Sequence, residues 1–282
     1  MRVRLPRPSW RVSAADLRAR VASQLEALSA PGAPLHINAD GATWRLHTVG
    51  ATDPYAGRYT PSRVRLHAAL VEEFRSRHAG VATDGLAAVA TAGPPAVGKS
   101  TRLNKLGYAE ASWRRIDPDD FKTMLIEHDL RDGSLAMPAE LEGEVLLDGR
   151  GVLPLELAGL YHHESTVAAD MAREISLAAR ENVIIEGTFS WDGMPPQLVA
   201  ELLANDYQHL DVVLVDAPLD VALARSLERW WPERMRGGLG GRFTSAATIR
   251  DLYLPDQTTV CAVNARDLVE RARAARLDVV LK

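Results

Sequence analysis

Gly93-Pro94-Pro95-Ala96-Val97-Gly98-Lys99-Ser100 satisfies the pattern G-x-x-x-x-G-K-[ST], with Thr101 directly after it. An apolar run at 86–91 precedes it and a helical pattern at about 99–106 follows. That context makes the motif a strand–loop–helix phosphate cradle rather than a glycine-rich turn with an incidental lysine. Glycines let the loop wrap an anion with its backbone N–H groups pointing inward. The next helix offers its positive N-terminal end to the same phosphates. Lys99 adds a point charge for the β and γ phosphates, and Ser100 Oγ is placed to hold Mg2+. Gly93 to Thr101 are therefore the expected nucleotide-binding residues.

Downstream, short apolar runs alternate with longer helical stretches. Runs at 86–91, 112–116, 183–185, 210–215 and 277–281 read as strands. Patterns at about 99–106, 118–129, 163–180, 195–204, 218–231 and 258–275 read as helices. Such alternation means βαβ units and a parallel sheet covered on both faces. The expected fold class is α/β: a P-loop kinase-like parallel sheet flanked by helices, with a small N-terminal extension. Upstream, Ser13-Ala-Ala-Asp16 marks a helix start, and that helix should end before Pro31-Gly-Ala-Pro34. Alternation at 42–48 predicts a short strand. Thr60 and Pro61 open another helix, with Val64, Leu66, Ala69, Leu70 and Phe74 as its apolar stripe. The expected division is a basic extension at 1–55 and a kinase domain at 56–282.

Bulk composition narrows the class. The 282 residues carry 33 Lys and Arg against 37 Asp and Glu, a net charge of −4. An apolar fraction of 46% and a charged fraction of 25% are those of a soluble globular chain. No apolar run approaches the ~18 residues of a membrane span. No apolar h-region follows the basic first residues, so no secretory signal is expected. Cys261 is the only cysteine, which rules out an internal disulfide and fits a reducing cytoplasm. The mildly acidic total argues against wholesale nucleic-acid binding. Yet residues 1–85 hold 12 Arg against 7 acids, a net of +5, and the rest carries −9. The basic arm reads as solvated, or as docking on the acidic remainder or an external anion. Only four of the basic residues are lysines: Lys99, Lys105, Lys122 and Lys282. Lys105 should lie on the solvated side of the P-loop helix. No role follows for Lys122, and Lys282 reads as chance.

A P-loop names a nucleotide and not a reaction. A GTPase would carry a guanine-reading Asn-Lys-x-Asp, and Asn104-Lys105-Leu-Gly107 lacks the Asp. A motor ATPase would end a four-residue apolar strand in Asp-Glu. Here Val183-Ile-Ile runs into Glu186-Gly187-Thr188, which suits contact with substrate or magnesium-bound water. Ile116-Asp117-Pro-Asp119-Asp120 ends the next strand, where a carboxylate can take the proton of an attacking hydroxyl. Asp117, Asp119 and Asp120 all qualify by position, and one of them should cap the helix beginning at Pro118. Arg225, Arg229, Arg234, Arg236 and Arg242 crowd one region, with the hinge-like Gly237-Gly-Leu-Gly-Gly241 before the last. Arginines that fold over the phosphates meet the charge of the transition state. Arg225, Arg234 and Arg236 read individually as a solvated helix face, and Trp230-Trp231 as packing against the lid helix or as a stack for a base or sugar.

Taken together, these motifs resemble the zeta toxin family of bacterial P-loop kinases over roughly residues 55–250. Tyr59-Thr-Pro-Ser-Arg63 with His67 looks like the family's lead-in helix, and His163-Glu-Ser165 like the entrance to its substrate helix. The resemblance implies that Asp119 is the catalytic base and that Arg229 and Arg242 are transition-state arginines acting with Lys99. It implies substrate contacts at Asp119, Asp170, Glu186 and Thr188, with Asp170 standing where better-known members have Glu. It implies transfer of the γ-phosphate of ATP or GTP, with Mg2+, to UDP-N-acetylglucosamine, and an antitoxin partner. Pro95-Ala96 departs from the family's frequent Pro-Gly, and Phe189-Ser190 stands where some members place an Arg. Another metabolite or an antibiotic is the alternative acceptor. A nucleotide-binding regulator whose basic arm contacts nucleic acid or a partner is the alternative of a different class. Residues 1–50 lie outside the resemblance and are a candidate cis-acting inhibitor or a plain structural extension.

Overall fold

A computed structural model describes residues 13–50, 52–54, 57–77, 80–108 and 111–282. The basic arm expected over the first residues lies outside them. Ser13 opens α1 (Ala14–Ser29) by accepting from the Asp16 N–H at 3.0 Å, which satisfies a free donor of the first turn. A series of turns leads to α2 (Thr43–His47), so the strand expected at 42–48 is a helix. The cause is tertiary. Thr43 donates from N and Oγ1 to the Leu160 carbonyl, and Trp44 is buried at 1% exposure. Only the end of that stretch is extended, as β1 (Thr48–Val49), paired antiparallel with β2 (Arg58–Tyr59).

Pro61 begins α3 (Pro61–Ser76) as expected, but the stripe is rotated. Val64 is exposed, whereas Arg63 and His67 are buried with Leu70, Val71 and Phe74. The two polar side chains are drawn inward by carboxylates that other helices supply. A pattern read along one helix cannot show that.

The main sheet follows in βαβ order. Its first units are β3 (Ala87–Ala92), α4 (Lys99–Lys105), β4 (Arg114–Ile116), α5 (Pro118–Asp132) and α6 (His162–Ala178). Next come β5 (Val183–Ile185), α7 (Met194–Ala204), β6 (His209–Leu214) and α8 (Leu219–Arg236). The chain ends with α9 (Ala246–Arg250), α10 (Val260–Ala274) and β7 (Asp278–Leu281). The five strands run parallel in the order β4-β5-β3-β6-β7. Alternate residues of β3 serve opposite faces. Val89 meets Leu103 of α4 on one face, and Ala88 and Ala90 join the larger core on the other. The carboxyl end of β3 thus opens into the crevice between β5 and β6, where ligands bind in open α/β sheets.

Residues before α3 share this larger core. Val21, Leu25, Leu35 and Trp44 are buried in the cluster that holds Ala88, Phe121 and Ala168. A Cβ on Gly159 would lie 2.8 Å from the Leu35 carbonyl oxygen, so this approach requires glycine. Three further readings are corrected by packing. Arg234, read as solvated, is fully buried and binds Asp148 at 2.8 and 2.9 Å and Glu156 at 2.5 Å. The glycine run before Arg242 is seated rather than hinge-like, since a Cβ on Gly241 would meet the Trp230 carbonyl at 2.5 Å. Lys282, read as chance, reaches Asp211 at 2.7 Å. Trp230 packs as expected, its Nε1–H donating to Glu156 at 2.8 Å, and Arg236 is exposed and paired with Glu233.

Candidate active site

The loop between β3 and α4 has the strained geometry of an anion cradle. Gly93 (φ 142°) and Gly98 (φ 103°) occupy the left-handed side of the backbone map. A Cβ at Gly93 would strike the Val215 carbonyl at 2.1 Å. Ala96 also has φ 62°, a conformation that costs any residue with a Cβ. A glycine there would take this conformation without that cost. Lys99 Nζ donates to the Gly93 and Pro94 carbonyls at 2.7 and 2.9 Å, folded back over its own loop. Burial lowers its pKa, partly offset by neighbours that include Glu186, Asp117 and Asp119. Beside the loop lies a cavity of about 450 Å³ lined by Ala96, Thr101, Arg102, Lys105 and Arg225. Lys105 is exposed as expected, and the exposed Arg225 additionally donates to the Val97 carbonyl at 3.1 Å.

The three acids after β4 separate by role. Asp117 is the N-cap of α5, its carboxylate accepting from the Asp119 N–H at 2.9 Å. Asp119 is ringed by cations. Lys122 Nζ donates to Oδ1 at 2.9 Å. Arg242 Nη1 donates to the Asp119 carbonyl at 2.8 Å and lies 3.5 Å from Oδ2. Burial alone would raise the Asp119 pKa, but Lys122, Arg242 and Arg229 outweigh it and hold the carboxyl well below the usual carboxylate range. Arg229 lies within reach of both Arg242 and Asp119, and burial with the Arg242 charge lowers its pKa. Asp120 goes the other way: burial and Asp117 push it up.

Glu186 follows β5, the strand next to β3. Its carboxylate binds Arg115 of β4, and burial pushes its pKa up. The Thr188 carbonyl accepts from the Gly93 N–H at 3.1 Å, tying this strand end to the P-loop. Thr188 Oγ1 shares a hydrogen bond with Ser190. Asp170 lies two turns into α6 and is held by Arg173 at 2.5 Å, which also binds Glu201 of α7. Among the described residues, no hydrogen bond links Asp170 to Asp119 or to the P-loop. The fold therefore gathers Lys99, Asp119, Arg229, Arg242 and Glu186 around one crevice, and Asp170 is ion-paired with Arg173.

Sequence reading missed three groups here. Lys122, given no role, is the closest cation to the Asp119 carboxylate, and its i,i+3 spacing on a helix was the available signal. Arg115 had none, because its partner Glu186 arrives from a neighbouring strand. His162 opens α6 and lies within electrostatic reach of Lys122 and Asp119.

No group of three or more His, Cys, Asp or Glu among the described residues forms a metal cage. Magnesium in a nucleotide site needs none, since it takes one or two protein oxygens and fills the rest with water and phosphate. Ser100, exposed at the start of α4, has a hydroxyl that makes no hydrogen bond to the described residues, so the donor set fits.

This crevice sits on the fold of P-loop kinases, and comparison with solved structures agrees. The chain is similar to AvrRxo1-ORF1 in its complex with AvrRxo1-ORF2 with sulphate ions, at TM-score 0.58 and 17% identity, over 85% of this chain and 72% of the other. It is similar to the same complex with ATP at TM-score 0.59 and 17% identity, over the same 85% and 72%. A structure of the PezAT chromosomal toxin–antitoxin system of Streptococcus pneumoniae matches at TM-score 0.51 and 14% identity, over 79% and 77%. No protein-family model matches the chain, and no curated protein matches it in sequence. No helix among the described residues is long and apolar enough to cross a membrane.

Proposed function

We propose that this chain is a toxin-like small-molecule kinase that moves the γ-phosphate of ATP or GTP to a sugar hydroxyl. UDP-N-acetylglucosamine is the leading acceptor. The observation that carries the reading is the convergence of Lys122, Arg229 and Arg242 on Asp119, with Lys99 of the P-loop in the same field. A carboxylate kept ionised can accept a proton, and the cations beside it can pass to the γ oxygens as charge develops there. The acceptor oxygen attacks phosphorus, the bond from the γ-phosphorus to the β–γ bridging oxygen breaks, and the acceptor proton goes to Asp119. Lys99 leaves its loop carbonyls for the β and γ phosphates. Ser100 would hold Mg2+, which neutralises phosphate charge. Glu186 and Thr188 would meet the substrate or magnesium-bound water. Asp170 would contact the sugar once Arg173 yields it. The ATP in one related structure supports the nucleotide, and the PezAT system supports an antitoxin partner by analogy.

Mass spectrometry of ATP-dependent phosphorylation over a metabolite panel containing UDP-N-acetylglucosamine tests this. A phosphorylated sugar nucleotide that needs Asp119 is the expected product. ATP binding without any phosphorylated product would overturn the kinase reading.

A further inference from the structure

Of the cations around Asp119, Lys122 stands on α5 and Arg229 on α8, but Arg242 lies in the irregular stretch 237–245 between α8 and α9. Such a stretch has no helix or strand ladder of its own, so its position depends on what its backbone groups find elsewhere. Two anchors bracket Arg242. On one side, Gly241 lies so close to α8 that a Cβ would meet the Trp230 carbonyl at 2.5 Å. The Phe243 ring meets the Trp230 ring at 5.1 Å between centroids and 72°. On the other side, the Ala246 N–H, the first of α9, donates to Glu26 Oε1 of α1, 220 residues earlier. The cap of that helix is already engaged, since Ser245 Oγ accepts from the Thr248 N–H at 3.1 Å. The Ala246 N–H therefore relies on Glu26. Helix α1 is itself fixed. Val21 and Leu25 are buried in the main core, and Gln24 accepts from the Leu147 N–H at 2.8 Å. Further along that segment, the Leu155 N–H donates to the Leu239 carbonyl at 2.8 Å. From between the two anchors, Arg242 Nη1 donates to the Asp119 carbonyl at 2.8 Å and lies 3.5 Å from Oδ2.

We propose that Glu26 is a positioning residue for Arg242: by holding the Ala246 N–H it fixes the segment from which Arg242 reaches Asp119 and the transferring phosphate. The inference rests on the kinase reading above. In that reading the Arg242 side chain passes from Asp119 to the γ oxygens as charge develops there. The side chain can move only to the right place if its backbone stays where it is. Placement is most of what phosphoryl transfer asks of a protein, and a displacement of about 1 Å far from the chemistry is costly. Glu26 touches neither substrate nor Arg242 and acts through the backbone between them. Helix α1 lies outside the family resemblance, and on this reading it supports transfer instead of blocking it. The N-terminal segment then completes the active site as well as the core.

The test uses the full chain, ATP and UDP-N-acetylglucosamine as the probe. Glu26→Ala should lower kcat about tenfold and leave the KM for ATP and for the sugar unchanged, the mark of an interaction felt only in the transition state. Glu26→Gln, whose amide oxygen can accept the same N–H, should restore most of the loss. Hydrogen exchange read by mass spectrometry should rise in Glu26→Ala over residues 243–250 and stay unchanged over β3. Wild-type kcat in Glu26→Ala would overturn this inference and leave the kinase reading standing. An equal loss in Glu26→Gln, or exchange raised throughout the sheet, would also overturn it, since Glu26 would then serve the fold alone. No transfer to this sugar by the wild-type chain would overturn the acceptor assignment and this inference with it.

Discussion

Asp119 owes its ionised state to neighbours that approach from two directions, Lys122 along its own helix and Arg229 with Arg242 from beyond β6. Its folded pKa lies below the unfolded value, so its charged form stabilises the fold above the unfolded pKa, and that contribution is lost as pH falls. Protonation of Asp119 should therefore cause no loss of turnover between pH 8 and 5, which a pH–rate profile reads directly. Asp119→Asn keeps the shape and removes the base. We expect kcat to fall roughly 10²–10⁴-fold with ATP affinity retained, by steady-state kinetics and calorimetry. Normal turnover in that variant, with Asp120→Asn inactive, would move the base by one position. Ala96 makes a separate prediction. Its positive φ penalises a Cβ, so Ala96→Gly should raise stability by up to about 1 kcal/mol in urea titrations. A clear loss would mean that the loop does not hold this conformation.

Helices α3, α5 and α6 are joined by charge as well as by apolar contact. Arg63 of α3 forks onto Asp129 of α5 at 2.7 and 2.9 Å and also binds Glu164 of α6. His67 shares a 2.6 Å hydrogen bond with Glu164, and Tyr161 donates to Asp129 at 3.0 Å. Both carboxylates are fully buried. Removing one member of such a network leaves unpaired buried charge. Arg63→Ala should cost about 3–5 kcal/mol, read as a lower urea midpoint. Burial would raise the Glu164 pKa, but its bonds to His67 and Arg63 prevail and draw it from 4.5 to about 2. A depressed folded value gives stabilisation that is complete above pH 4.5 and lost as pH falls toward 2. The urea midpoint of the native chain should drop across that window, and Glu164→Gln should flatten the drop. An equally steep drop in the variant would place the acid sensitivity elsewhere. The network ties the last turn of α5, at Asp129, to the first turn of α6, at Glu164, through Arg63.

At the scale of the whole molecule, the N-terminal segment decides how truncations are read. Val21, Leu25, Leu35 and Trp44 belong to the main core. Glu26 accepts from the Ala246 N–H at the start of α9, and Gln24 accepts from the Leu147 N–H at 2.8 Å. Deleting residues 1–50 should therefore lose the cooperative unfolding transition, whatever happens to activity. Leu25→Ala alone should cost about 2–5 kcal/mol by loss of apolar contact and creation of a cavity. A folded, active truncation would show that the core closes without this segment.

What the sequence by itself determined is the part written in local pattern. The P-loop, the order of strands and helices after residue 86, the Thr60-Pro61 helix start and the Asp117 cap all follow from spacing over a few residues, because backbone sterics and hydrogen bonding act at that range. The arginines at 229 and 242 were singled out by resemblance, and the tertiary structure brings both toward Asp119. Only the tertiary structure decided the rest. It turned 42–48 from strand to helix by burying Trp44 and satisfying Thr43 on Leu160. It drew Arg63, His67 and Arg234 inside by bringing carboxylates from distant segments, and it put Lys122 on the Asp119 carboxylate. Each of these depends on a partner far along the chain. A side chain's burial and charge state are properties of what folding packs against it, and local pattern does not contain that information.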